Sequence, residues 1–88
     1  MDSTKQTNLE TFLLLALQSV GQLGLRAESL LPRARLEIAR DLTAPELAST
    51  LRSLADRGLV LATDSALGGP RWRITETGAA KLTEYGLL

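Results

Sequence analysis

Side chains able to do covalent or acid–base chemistry are scarce in these 88 residues: histidine and cysteine are both absent. Their absence removes the usual neutral-pH general base, the commonest metal ligand and the soft nucleophile, and with them disulfides and thiolate metal sites. Serines and carboxylates remain, but no base is spaced to activate a nucleophile, and Asp2, Glu10 and Asp64 are scattered rather than clustered. Gly68-Gly69 is too short for a phosphate-cradling loop and lacks the lysine that follows one, so it reads as a turn. No enzymatic activity, metal centre or cofactor is expected, and no small-molecule ligand is evident. The chemistry on offer is that of arginine, which supplies eight of the ten cations. Its guanidinium fork matches phosphate and carboxylate geometry. Ten acidic residues bring the formal charge to zero, so no global field draws the chain toward nucleic acid, and the placement of the arginines decides what they do.

Those arginines must be positioned by a small core. The length allows one domain, burying roughly 60 to 65% of the surface that the unfolded chain exposes, so a partner would matter to stability. With 44% hydrophobic and 23% charged residues the chain is well away from the disordered class. Met1 to Thr7 lacks the apolar region of a signal peptide, and the longest apolar run, Phe12 to Leu17, is too short to span a bilayer. No membrane partner and a cytoplasmic location are expected.

The first seven residues are polar and aperiodic and read as a flexible N-terminal arm, with residues 8–88 as the domain. Asn8, or Thr7, caps a first helix in which Leu9, Phe12, Leu13, Ala16, Leu17 and Val20 share one broad arc. Leu14 and Leu15 fit that arc poorly and lie on either side of Gln18, on the face left to water. Gly21-Gln-Leu-Gly24 breaks the helix, with Leu23 and Leu25 as apolar plugs in the turn. A second helix spans about 27 to 39, irregular near Pro32, and either Leu31, Arg35 and Ile38 or Leu30, Ala34 and Ile38 form its buried stripe. Thr43-Ala-Pro-Glu46 is a capping box with proline in the first turn, and Leu42 and Leu47 suit a hydrophobic staple around it. The third helix runs from about 44 to 57, burying Leu47, Leu51 and Leu54, until Gly58 ends it as a left-handed cap.

Beyond Gly58 the chain extends to about Asp64, turns through Ser65 to Pro70 and extends again as Arg71-Trp-Arg-Ile-Thr75. Alternation turns Trp72 and Ile74 to the core and Arg71 and Arg73 outward. Trp72 therefore reads as core packing rather than a stacking platform for bases. Thr75 or Thr77 caps a final helix through about Glu84, with Ala79 and Leu82 inward and Tyr85, Leu87 and Leu88 placed to fold back.

The fold class is α+β, and the order of three helices, a two-stranded hairpin and a short C-terminal helix resembles the winged helix-turn-helix. The stretches Leu51-Arg-Ser-Leu-Ala-Asp-Arg-Gly-Leu-Val60 and Arg71-Trp-Arg-Ile-Thr-Glu-Thr-Gly-Ala-Ala-Lys-Leu82 look like the pattern of MarR-like and PadR-like transcriptional regulators. In those proteins a helix ending in Gly-Leu-Ile/Val feeds the first wing strand, and Thr-x-x-Gly joins the second to the next helix. The resemblance covers about residues 8 to 85 and is strongest over 47 to 82. It implies a DNA-binding regulator, or the protein-docking module that the same fold also supports.

On that resemblance the recognition-helix surface comprises Ala44, Glu46, Ala48, Ser49, Arg52, Ser53 and Asp56, while Arg71 and Arg73 edge a wing tipped by Leu67, Gly68 and Gly69. Ser49, Arg52, Ser53, Arg71 and Arg73 would then contact double-stranded DNA, Arg52 at a guanine edge and the others at phosphates. Glu46 would repel phosphates, and its capping role is the simpler one. Arg33 and Glu37, four apart, suit a solvated pair, although Arg26, Arg33 and Arg40 offer a rival basic patch. Leu14 and Leu15 point to a homodimer through the first helix, or to docking on a larger protein, unless the C-terminal Tyr85-Gly-Leu-Leu88 covers them.

Overall fold

The computed structural model describes residues 3–64 and 69–87. They form an α+β unit: α1 (Ser3–Val20), a single 3-10 turn (Gly21–Leu23), α2 (Ala27–Glu37), α3 (Ala44–Asp56), β1 (Val60–Thr63), β2 (Arg71–Ile74) and α4 (Glu76–Glu84). The two strands pair antiparallel with Val60 opposite Ile74 and Thr63 opposite Arg71. Fifteen buried apolar residues make one cluster to which all four helices and both strands contribute, eleven of them leucines.

α1 begins five residues before Asn8, so the expected flexible arm is helical from Ser3 onward. Polar contacts rather than apolar periodicity hold that first turn and a half. The Thr7 hydroxyl donates to the Ser3 carbonyl at 2.8 Å, and the Gln6 amide donates to Glu10 Oε2 at 3.2 Å. Further along α1, Leu9, Leu13, Ala16 and Leu17 are buried as their spacing implies. Leu14 corrects the reading: it is 2% exposed and belongs to the core of its own chain, leaving Leu15 alone at the surface at 36%. With α3 and α4 both packed on α1, the helix buries a wider arc than a single-sided pattern suggests.

α2 runs through Pro32 and buries Leu30 and Ala34, which settles its stripe in favour of Leu30, Ala34 and Ile38. Arg35 is thereby free to donate from Nε to the Leu42 carbonyl at 2.8 Å, pinning the loop that leads into α3. The capping box at α3 is complete: Thr43 Oγ1 accepts from the Glu46 amide at 3.3 Å and the Glu46 carboxylate accepts from the Thr43 amide at 3.0 Å. Leu42 and Leu47 flank it, both buried.

The turn out of α3 explains the hairpin that follows. Gly58 takes φ +76°, a region costly for any residue with a Cβ, and so lets the Leu59 amide donate to the Leu54 carbonyl at 3.0 Å while its own amide donates to Ala55 at 2.9 Å. Leu59 then enters the core and β1 starts one residue later. At the far end of β2, Thr75 caps α4 by accepting from the Gly78 amide at 3.1 Å, and its hydroxyl donates to the Gly58 carbonyl at 2.6 Å. One side chain thus ties the end of α3 to the start of α4. Gly78 sits so close to β1 that a Cβ there would overlap the Leu59 carbonyl.

Two further expectations are corrected. Leu23 is 76% exposed and plugs nothing, whereas Leu25 exchanges backbone hydrogen bonds with Trp72 at 2.7 and 2.8 Å and so adds a one-residue third strand beside β2. Tyr85 and Leu87 stay 50% and 44% exposed and are not among the residues packed into the core. Leu67, Gly68 and Leu88 lie outside the described residues.

Candidate nucleic-acid interface

α3 is amphipathic, and its apolar side is fully used: Leu47, Thr50, Leu51 and Leu54 are buried. The opposite side carries Pro45, Ser49, Arg52 and Asp56 in one outward row at spacings of four, three and four, all exposed. Next to that row, on the flank facing α1, lie Glu46, Ser53 and Arg57, also exposed. The N-terminal part of α1 runs along this flank. Gln6 Nε2 reaches Thr50 Oγ1 at 3.5 Å, and Gln6, Pro45, Glu46, Ser49, Thr50 and Ser53 wall a shallow polar cleft. Gln6 was not foreseeable as part of this wall, because its partner is 44 positions away and no local spacing announces it.

The charges on α3 have different duties. Arg57 forms an ion pair with Glu10 of α1 through its Nη2, at 2.6 Å, and is held against the body of the protein. Glu46 is held by the cap: hydrogen bonds from the Thr43 hydroxyl and then from the Thr43 amide lower its carboxyl below the usual value, because both favour the charged form. Arg52 makes no hydrogen bond or ion pair among the described residues. With Asp56 four residues on, the outward row carries one cation and one anion and has no net charge of its own.

β2 lies between β1 on one side and Leu25 on the other. Its inward residues are Trp72, buried, and Ile74, packed against the core. Arg71 and Arg73 take the alternate positions, opposite Thr63 and Leu61 of β1. Arg71 is exposed and its Nη1 lies 3.5 Å from the Leu23 carbonyl; Arg73 is half-buried and lines a second cleft with Gln22, Leu61, Ile74, Thr75 and Glu76. Ser49, Arg52 and Ser53 are therefore gathered on α3, and Arg71 and Arg73 on β2. The two sets share no cleft and are linked through β1, which packs on α3 and pairs with β2.

Chemically, the surface offers two hydroxyls, three guanidinium groups and a polar groove. Among the described residues, no group of three or more Asp or Glu could hold a metal ion, and no helix is long and apolar enough to cross a membrane. Comparison with known proteins finds no matching family model, no matching curated protein and no matching solved structure.

Proposed function

We propose that the chain is a winged-helix protein that binds double-stranded DNA, placing α3 in the major groove and the β1–β2 ribbon along the flanking backbone, and that it works as a cytoplasmic transcriptional regulator. The observation that carries the reading is the pairing of a solvent-facing α3 row, with Arg52 free of any structural bond, with a ribbon whose central strand carries an exposed Arg71 and a half-buried Arg73. The chain order supports it as well: helix, one-residue strand, helix, helix, then two strands, with the strand from Leu25 on the outer side of β2. In this pose Arg52 reads a guanine edge, Ser49 and Ser53 donate to phosphate oxygens, and Arg71 and Arg73 neutralise phosphate charge. The neutral outward row of α3 gives little non-specific pull. Affinity then depends on few cations.

The test is binding of a mixed-sequence duplex, followed by fluorescence anisotropy as salt is raised. Two phosphate-neutralising arginines give a slope of log K against log salt of about −1.8, at roughly −0.9 per phosphate. Replacing Arg71 and Arg73 together with alanine removes nearly all of that slope. Absence of binding at low salt would overturn the proposal and leave the fold to protein docking.

A further inference from the structure

A cleft between α2 and the start of α3 is lined almost wholly by apolar side chains. It holds about 220 Å³ and is walled by Ala27, Glu28, Leu31, Pro32, Ala44 and Leu47, so that none of its side chains carries a hydrogen-bond donor. Glu28 is the polar member, and it brings acceptors without partners. Pro32 has no N–H, so the Glu28 carbonyl lacks the donor that the residue four positions on supplies in a regular helix. The Glu28 carboxylate makes no hydrogen bond or ion pair among the described residues. The positions three and four away from it on either side are Gly24, Leu25, Leu31 and Pro32, none of them cationic. A glutamate in the first turn suits the helix dipole, but that role uses its charge and leaves its oxygens without a donor.

We propose that this cleft binds a small primary amine with an apolar tail, the ammonium received by the Glu28 carboxylate and carbonyl and the tail lying on Leu31, Pro32, Ala44 and Leu47. An ammonium has three donors and no acceptor, which complements a site that offers acceptors and no side-chain donor. An anion finds no such counterpart, because the Glu46 and Leu47 amides at the start of α3 are already taken by Thr43. The volume is below the roughly 300–1,000 Å³ of drug-sized pockets, so the tail is short. Both walls are helices, with no strand edge on which an extended peptide could pair. Occupancy bridges α2 to α3 and stabilises the folded chain by mass action. The inference uses none of Ser49, Arg52, Ser53, Arg71 or Arg73, and it holds whether or not the chain binds DNA.

The probe is n-hexylamine, with 1-hexanol and hexanoate as neutral and anionic molecules of the same tail. In amide NMR titrations of the labelled chain at neutral pH, hexylamine gives saturable shifts at Glu28, Leu31, Ala44 and Leu47 with a dissociation constant of the order of 1 mM. Hexanol binds roughly tenfold more weakly, for want of the charge-assisted bond, and hexanoate does not bind. Glu28→Gln, at an exposed position, brings hexylamine down to the level of hexanol. Ala44→Leu, which fills the cleft from an exposed position, removes the binding of both, and circular dichroism confirms that each variant remains folded. Hexylamine shifts that do not saturate by about 20 mM, or that fall outside the cleft, overturn the proposal. So does hexanoate binding as tightly as hexylamine, or a folded Glu28→Gln chain that keeps the preference for hexylamine over hexanol.

Discussion

Replacing Thr75 by valine removes one hydroxyl and almost nothing else, and that hydroxyl serves two elements at once. It accepts from the Gly78 amide at the start of α4 and donates to the Gly58 carbonyl at the end of α3. Valine keeps the branched shape, and the backbone at φ −97°, ψ 171° is extended, which a β-branched residue accepts without strain. Loss of an N-cap costs about 1 kcal/mol. The bond to Gly58 lies at the surface and contributes toward the low end of the ~0.5–1.5 kcal/mol range. Together these give about 1.5–2.5 kcal/mol, a large share of the roughly 4–13 kcal/mol total for a chain of this size. The melting temperature falls by roughly 6–20 °C, at about 4–8 °C per kcal/mol. Urea unfolding followed by circular dichroism reads the change in midpoint with the slope unaltered. Thr77→Val, at an exposed position with no capping bond, stays within about 0.5 kcal/mol of the parent. Equal effects at Thr75 and Thr77 would refute the idea that one hydroxyl couples the two helices.

Two other perturbations follow from the same packing. Gly78→Ala ordinarily strengthens a helix by about 1 kcal/mol, but here the new Cβ meets the Leu59 carbonyl and lies 2.7 Å from Ile74 Cγ1. A net loss of about 1–3 kcal/mol from overpacking is expected in urea unfolding, and a gain would contradict the close approach. Glu46 has a folded-state pKa below its unfolded value, so its contribution is present above the unfolded pKa and is lost as pH falls through the folded one. Wild type should therefore lose stability relative to Glu46→Gln as pH drops from neutral to below about 4. A pH-independent difference between the two would show that the Thr43 bonds do not favour the ionised carboxylate.

Local chemistry made much of the fold legible. Thr43 and Glu46 announce the start of α3, Gly58 its end, and the alternation of Arg71, Trp72, Arg73 and Ile74 a half-buried strand, because each signal is contained within a few residues. The misread parts depend on neighbours distant in sequence. Leu14 sits outside a single-sided stripe because α1 is packed by more than one element, which no periodicity calculation on α1 alone can show. The helical Ser3 to Asn8 segment lacks apolar period and is held by Gln6 and Glu10, whose partners are Thr50 on α3 and Arg57 at its C-terminal cap. Leu25 pairs with Trp72 across 47 positions, and a one-residue strand has no pattern to detect. Of the candidate site, the exposed positions Ser49, Arg52, Ser53 and Arg71 were legible from helical and strand periods; the engagement of Arg57 by Glu10, which leaves Arg52 as the outward cation of α3, was not.

The reading-head proposal is tested most directly by titrating the isotope-labelled chain with a mixed-sequence duplex at low salt and following backbone amide and arginine side-chain NMR shifts. The expected result is a set of changes concentrated at Ser49, Arg52, Ser53, Arg71 and Arg73, with the Thr11 to Ser19 side of α1 undisturbed. Shifts confined to α1 or α2, or no shifts at all, would contradict it.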